Sequence, residues 1–319
     1  MILVAGGDAD PNLARLLRRL AGRGLDHLAL LVGASAVPRL TWDLGRDRLW
    51  IGGVEARPTA LFLRHDVFTH LADRRPEVQS RATRWYQTLM SWALAHEEVA
   101  FPNRAYGARQ ASKPYALHLA RRAGLAVPET LVTNDPRDLD PGDEEAWVVK
   151  PVNGGEYTRP LADARTDEVW RRLCAEAPAL VQRRLVGPEL RIYRVGGRWF
   201  AFHLRSRALD YRADPGVEVA AVPAPGDLTA PLGRLMDRLG LDFGAADFKT
   251  CPETGAPLFL EVNSAPMFAA FDGVAAGALS DAILDWLDAA RPRCQADPEG
   301  APPGPPPGPP PGGDPSAAR

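Results

Sequence analysis

The stretch from Phe243 to Asn263 constrains this chain more than any other. Phe243–Lys249 and Leu258–Asn263 both read as strands, and the loop between them carries Pro252 and Gly255, so the pair is a β-hairpin. With the loop centred on Thr254, Asp247 stands opposite Glu261. Asn263 lies two residues beyond Glu261 and projects from the same face, because side chains alternate along a strand, while Leu258, Leu260 and Val262 point the other way into a core. Two carboxylates and an amide oxygen side by side repel one another unless a cation fills the space between them. Hard oxygen donors without thiols or imidazoles suit Mg²⁺ or Mn²⁺, and Mg²⁺ commonly completes its octahedron with phosphate oxygens and water. Asp247, Glu261 and Asn263 are therefore the candidate metal ligands.

Phosphates over that face need cations from elsewhere in the chain. Of 38 lysines and arginines only Lys113, Lys150 and Lys249 are lysine. In so arginine-rich a sequence, a lysine marks a place that needs a compact ammonium rather than a planar guanidinium. Lys113 opens a helix. Ser112 caps it, Pro114 sits in its first turn, Arg121 and Arg122 complement its C-terminal dipole, and Gly124 stops it. Lys150 closes the strand Trp147–Lys150, and the loop Asn153-Gly154-Gly155-Glu156 just beyond offers backbone N–H groups to phosphate. No GxxxxGK[ST] occurs and Gly6-Gly7 makes no GxGxxG, so a nucleotide here is held by neither of those architectures.

Other segments set the frame. Ile2–Ala5, Leu28–Val32 and Ala60–Leu63 are short apolar strands, with a helix opening at Pro11 between the first two, and Glu77–His96 repeats apolar residues at helical spacing. Arg64, His65 and Asp66 follow the third strand. Glu189–Val195 and Arg198–Arg205 form a second hairpin across Gly196-Gly197, and in that register Arg191 opposes Phe202 while Arg205 and Arg207 lie on the other face. Leu228–Leu239 and Ser280–Ala289 read as helices. Beyond Ala301 the glycines recur every fourth residue, which excludes a collagen triple helix and leaves an extended Pro/Gly-rich tail.

Composition narrows the classes. The formal charge of −2 argues against a protein that coats nucleic acid or an anionic membrane. Neither a run of about 18 apolar residues nor a signal-like start is present, so the chain reads as cytoplasmic. Cys174, Cys251 and Cys294 are too few and too scattered for a disulfide framework or a zinc site. No Ser/His/Asp or Cys/His arrangement stands out, and a homodimer is as compatible with the sequence as a monomer.

Taken in order, these parts resemble the ATP-grasp superfamily. Lys113…Gly124-Leu125-x-Val127-Pro128-x-Thr130, Val148-Val149-Lys150-Pro151, Val181-Gln182, Gly187-Pro188-Glu189-Leu190-Arg191, Asp247 and Glu261-Val262-Asn263 succeed one another over about residues 100–290. Within the superfamily the chain looks most like the RimK-like glutamate ligases and the ligases that mature ribosomally made peptides. The resemblance implies an α/β (α+β) fold: a pre-ATP-grasp α/β domain over 1–100, a central and lid domain over 101–185, an antiparallel-sheet domain over 186–292, and the disordered tail over 293–319. ATP would lie between two sheets, with Mg²⁺, or Mn²⁺ in its place, on Asp247, Glu261 and Asn263. Lys113, Lys150 and the Gly154-Gly155 loop would hold its phosphates, and Gln182, Arg183, Arg184 and Leu185 would meet adenine largely through backbone. Arg191, with Arg205 or Arg207, would stabilise the transferred phosphoryl group. This hinge has Arg183 where the family usually has an acidic residue, so Glu189 becomes the candidate for the ribose. The implied activity joins a carboxylate to an amine or hydroxyl through an acyl-phosphate, on a peptide or amino-acid substrate. The rivals are a phosphotransferase and a non-catalytic nucleotide-binding module.

Overall fold

In the computed structural model, residues 1–33, 37–107, 112–135, 144–152, 158–165, 177–209, 211 and 214–289 are described. The chain opens with a parallel three-stranded sheet in the order β2-β1-β6, formed by β1 (Ile2–Gly7), β2 (His27–Val32) and β6 (Ala60–Leu63). Ile2 to Ala5 are fully buried because helices cover both faces of a parallel sheet. The Pro11–Gly22 helix makes the β1–β2 crossover. Asp10 caps it by accepting from the Asn12 amide at 2.8 Å, and Leu13, Leu16 and Leu20 face the sheet. Gly6 closes β1 at φ +152°, and a Cβ there would meet the Arg64 carbonyl oxygen at 2.7 Å. A small antiparallel sheet not among the elements expected above, β3 (Leu40–Asp43), β4 (Arg48–Ile51) and β5 (Val54–Ala56), is inserted before β6. The long Pro76–Ala95 helix buries Val78, Leu89 and Trp92.

Two antiparallel sheets follow. The first has the order β7-β10-β8-β9, from β7 (Thr130–Thr133), β8 (Trp147–Pro151), β9 (Arg159–Pro160) and β10 (Ala179–Arg183). The second has the order β13-β12-β11-β14-β15, from β11 (Val186–Val195), β12 (Arg198–Arg205), β13 (Glu218–Val222), β14 (Phe243–Thr250) and β15 (Pro257–Asn263). Arg191 opposes Phe202 in the β11–β12 hairpin, as the Gly196-Gly197 turn requires.

One face of the five-stranded sheet is largely apolar, and Leu190, Ile192, Phe248 and Phe259 pack with the Lys113–Ala123 and Gly226–Leu239 helices. The other face is divided. Tyr193, Val195, Phe202 and Phe243 pack toward the Ala269–Val274 and Ala278–Ala289 helices, while Glu189, Arg191, Asp247, Glu261 and Asn263 line an open cleft.

The β14–β15 hairpin departs from regular alternation in one respect. Asp247 opposes Glu261 and Ala245 opposes Asn263, but the ladder slips by one residue between Asp247 and Phe248, so Phe248 pairs with Phe259 and Lys249 with Leu258. Leu260 is the extra residue of a β-bulge. Phe259, rather than Leu258 or Leu260, therefore enters the core, where it is fully buried with its ring 5.6 Å from that of Phe248. Leu260 instead lines the cleft, and only Val262 of the three expected residues packs on that core. Ser112 takes the N-cap position of its helix, yet its side chain makes no capping bond.

Candidate active site

The cleft lies between the two antiparallel sheets and encloses about 260 Å³. All three lysines of the chain line it, each from a different element and each beside a different acceptor. Lys113, the first residue of its helix, stands 3.3 Å from Glu261 Oε2. Lys150 on β8 donates to Gln182 Oε1 on the neighbouring β10 at 2.9 Å, and the Gln182 amide in turn donates to Thr130 Oγ1 at 2.9 Å. Lys249 on β14 meets Glu189 Oε1 at 2.9 Å and donates to the Leu209 carbonyl at 2.6 Å. Burial pushes the Lys150 ammonium down to about 8, against the opposing pull of the Glu261 carboxylate. Burial would lift Glu261, but the ammonium groups of Lys113 and Lys150 outweigh it and hold the carboxyl below its ordinary value.

Arg191 is buried at the floor of the cleft. Its Nη1 reaches the two Asp247 oxygens at 3.0 and 3.2 Å and the Tyr211 hydroxyl at 2.9 Å, and its Nε reaches the Tyr193 hydroxyl at 3.0 Å. Burial opposes its charge, yet the Asp247 carboxylate prevails and raises its pKa further. Tyr193 in turn donates its hydroxyl to the Met267 carbonyl at 2.5 Å, and burial pushes that phenol up. The result is an unbroken polar chain from Asp247 to the turn that follows β15.

That turn is anchored from the far side of the molecule. Arg64 at the end of β6 is buried, pairs with Asp10 at 2.6 Å and donates to the Pro266 carbonyl at 3.0 Å. Asn12 accepts from the amides of Phe268 and Ala269 at 2.6 and 2.8 Å. The first sheet thereby fixes the segment carrying Ala265, Pro266 and Met267, all of which line the cleft.

Among the described residues no group of three or more His, Cys, Asp or Glu stands close enough to hold a metal. The candidate set is instead two carboxylates and an amide. The Asn263 Nδ2 lies 3.4 Å from Asp247 Oδ2 and 3.3 Å from Glu261 Oε1, so the positive end of the amide dipole already points at both acids. A half-turn of the amide plane replaces that nitrogen with oxygen and yields an all-oxygen donor set suited to Mg²⁺. The lining as a whole carries five cationic side chains, including Arg183, against three carboxylates. That positive excess suits a polyphosphate.

No protein-family model and no curated protein sequence matches the chain. Solved structures do. PsnB, an ATP-grasp ligase complexed with minimal precursor, Mg and ADP, aligns at a TM-score of 0.69 over 90% of this chain and 97% of its own, with 26% identity. The macrocyclase MdnC from Microcystis aeruginosa MRC, bound with precursor peptide MdnA, reaches 0.71 over 91% and 100% at 18% identity. A RiPP-associated ATP-grasp ligase from Chryseobacterium gregarium, in complex with ADP and a leader and core peptide, reaches 0.71 over 92% and 97% at 21% identity.

The chain has the ATP-grasp fold.

Most side chains that the sequence pointed to converge on this ATP-grasp cleft: Lys113, Lys150, Gln182, Arg183, Leu185, Glu189, Arg191, Asp247, Glu261 and Asn263 all line it. Three arginines do not. Arg205 and Arg207 are exposed, Arg205 paired across the ladder with Glu218 on the face opposite to Arg191, so strand alternation turns it away. Arg184 is exposed beside Glu145 at 3.7 Å, and only its backbone belongs to the hinge. The Arg183 and Arg184 amides are already bonded to the Glu129 and Ala146 carbonyls, which narrows any adenine contact by a backbone donor to Leu185. Gly154 and Gly155 lie outside the described residues.

The ATP-grasp cleft also contains residues the sequence reading did not assign to it. Lys249 is two residues past Asp247 on one strand face, and that spacing together with the scarcity of lysine was the available signal. Met267 left none.

Proposed function

We propose that this chain is an ATP- and Mg²⁺-dependent ligase that activates a substrate carboxylate as its acyl-phosphate and joins it to an amine or a hydroxyl, with a peptide as substrate. The observation that carries this reading is the convergence of Asp247, Glu261 and Asn263 with Lys113, Lys150 and Lys249 in one cleft between two sheets. The fold neighbour PsnB, an ATP-grasp ligase complexed with precursor, Mg and ADP, supports it at 26% identity. On this reading, residues 1–100, 101–185 and 186–292 are the pre-ATP-grasp, central and lid, and C-terminal domains, and the enzyme acts in the cytoplasm.

Each group has work that its surroundings suit it for. Lys113 and Lys150 are point charges aimed into the cleft, and they neutralise the β- and γ-phosphates. Val148, Leu185 and Leu260 give the base apolar walls, and Glu189, held by Lys249, faces the ribose. Asp247, Glu261 and Asn263 would hold Mg²⁺, which supplies charge neutralisation to the transferring phosphoryl group. Arg191 is fixed by Asp247, Tyr193 and Tyr211, so its charge needs no rearrangement as negative charge develops. Phosphoryl transfer of this kind requires alignment and electrostatics rather than a side-chain nucleophile.

The test is to incubate the full chain with ATP, Mg²⁺ and the peptide encoded by a short reading frame beside its gene. ADP, phosphate and a peptide lighter by one water are expected. AMP with pyrophosphate, or a stable phosphoester on the peptide, refutes the ligase reading, and no uptake of Mg²⁺–ATP by calorimetry refutes the nucleotide site itself.

A further inference from the structure

A second cavity, of about 410 Å³, adjoins the cleft on the side of the first sheet. The two share Ala265, and the second is bounded by Ser264, next to the ligand Asn263, and by Ser112, next to Lys113. It therefore opens at the end of the cleft where the metal and phosphates would sit. Phe62, Met90, Phe101 and Phe243 give it an apolar wall, and polar side chains supply much of the rest.

Four hydroxyl groups line this space: those of Tyr86, Tyr106, Ser112 and Ser264. Those of Tyr86, Ser112 and Ser264 show no hydrogen-bond partner among the described residues. Tyr86 makes an edge contact with the His65 ring, and Ser112 leaves its capping bond unmade. Burial pushes the Tyr86 phenol up, so it stays a neutral donor. The other polar groups of the wall are committed. Arg64 is held by Asp10 and the Pro266 carbonyl, and Asn103 by the main chain of Phe243 and Ser264. An apolar hollow with a few convergent polar groups is the general form of a small-ligand site. Uncommitted hydroxyls in such a place are matched by a ligand that brings amide groups.

We propose that this cavity receives a bulky apolar residue of the peptide substrate, its side chain among Phe62, Met90, Phe101 and Phe243 and its main-chain amides on the hydroxyls of Tyr86, Ser112 and Ser264. This rests on the ligase reading above, because that reading places the reacting carboxylate at the shared mouth. The site selects for an aromatic or branched aliphatic residue close in sequence to the reacting one. A glycine there would leave the hollow empty.

The test uses N-acetylphenylalaninamide, which carries one such side chain and two amides, titrated into the full chain and followed by ligand-observed NMR. Saturable binding is expected, with N-acetylglycinamide binding at least tenfold more weakly. Met90→Trp, which fills the hollow, should abolish it. Tyr86→Phe, which keeps the ring and removes one hydroxyl, should weaken it about three- to tenfold, the range of one hydrogen bond. Asp247→Asn should leave this binding intact while Mg²⁺–ATP uptake is lost, which separates a failure of the nucleotide site from a failure of this one. Equal binding of the two probes, or affinity unchanged in both cavity variants, overturns the proposal.

Discussion

Asp247→Asn tests the electrostatic logic of the cleft most directly. Arg191 and Asp247 have side chains only 5% and 13% exposed and lie 3.0 Å apart. At an effective permittivity of about 20, that separation corresponds to roughly 5 kcal/mol of attraction. Removing one partner of a buried pair costs about 3–5 kcal/mol, because the other charge is left without compensation. Arg191 keeps the hydroxyls of Tyr193 and Tyr211 after the change, so the lower half of that range is expected. Arg191→Met alone should cost at least as much, since its guanidinium also lies 5.3 Å from the centres of the Tyr193 and Phe271 rings. The double variant should then be less destabilised than the two singles combined by about 2 kcal/mol or more. Urea unfolding of all four proteins in metal-free buffer measures each of these quantities. Strict additivity, or an Asp247→Asn cost below about 1 kcal/mol, would refute the claim that these two charges depend on each other.

Three further outcomes follow from the same geometry. Lys150 titrates near 8 in the folded chain against an ordinary value of 10.5. Below pH 8 its charge is a penalty on the folded state, and between pH 8 and 10.5 the unfolded chain binds the extra proton, so stability relative to Lys150→Met should rise across that window; a pH-independent difference in urea midpoint would count against it. Gly6→Ala puts a Cβ 2.7 Å from the Arg64 carbonyl and 2.8 Å from Leu13 Cδ1 at φ +152°, so thermal denaturation should show a loss of about 2–4 kcal/mol. Arg205→Ala and Arg207→Ala alter exposed charges outside the cleft, and calorimetry should find Mg²⁺–ATP affinity within about twofold of the parent.

What could be read in the sequence, and what could not, divides along physical lines. Two-residue turns and strand alternation are local, so the opposition of Arg191 to Phe202 and of Asp247 to Glu261 was accessible without coordinates. The Gly124 stop and the placement of Lys113 on the first residue of its helix are local too. The bulge at Leu260 was hidden, because it reflects which aromatic ring packs on Phe248, a contact across strands that the alternation of one strand does not encode. The sheet over residues 40–56 escaped notice although Gly52-Gly53 makes a two-residue turn between Ile51 and Val54, because its strands are only three or four residues long. The anchoring of Pro266 and Phe268 by Arg64 and Asn12 spans about two hundred residues or more of chain, and no pattern within either segment announces it.

Leu260 is supernumerary to its own ladder. Removing it would let Phe259 and Glu261 become consecutive while each kept its partner, Phe248 and Asp247, so the hairpin would close more regularly than it does now. The extra residue thus adds nothing to pairing; what it adds is a hydrocarbon surface facing the cavity between the sheets. A shortened strand that folds well yet grips nucleotide poorly would show that this irregularity was retained for the guest rather than for the host.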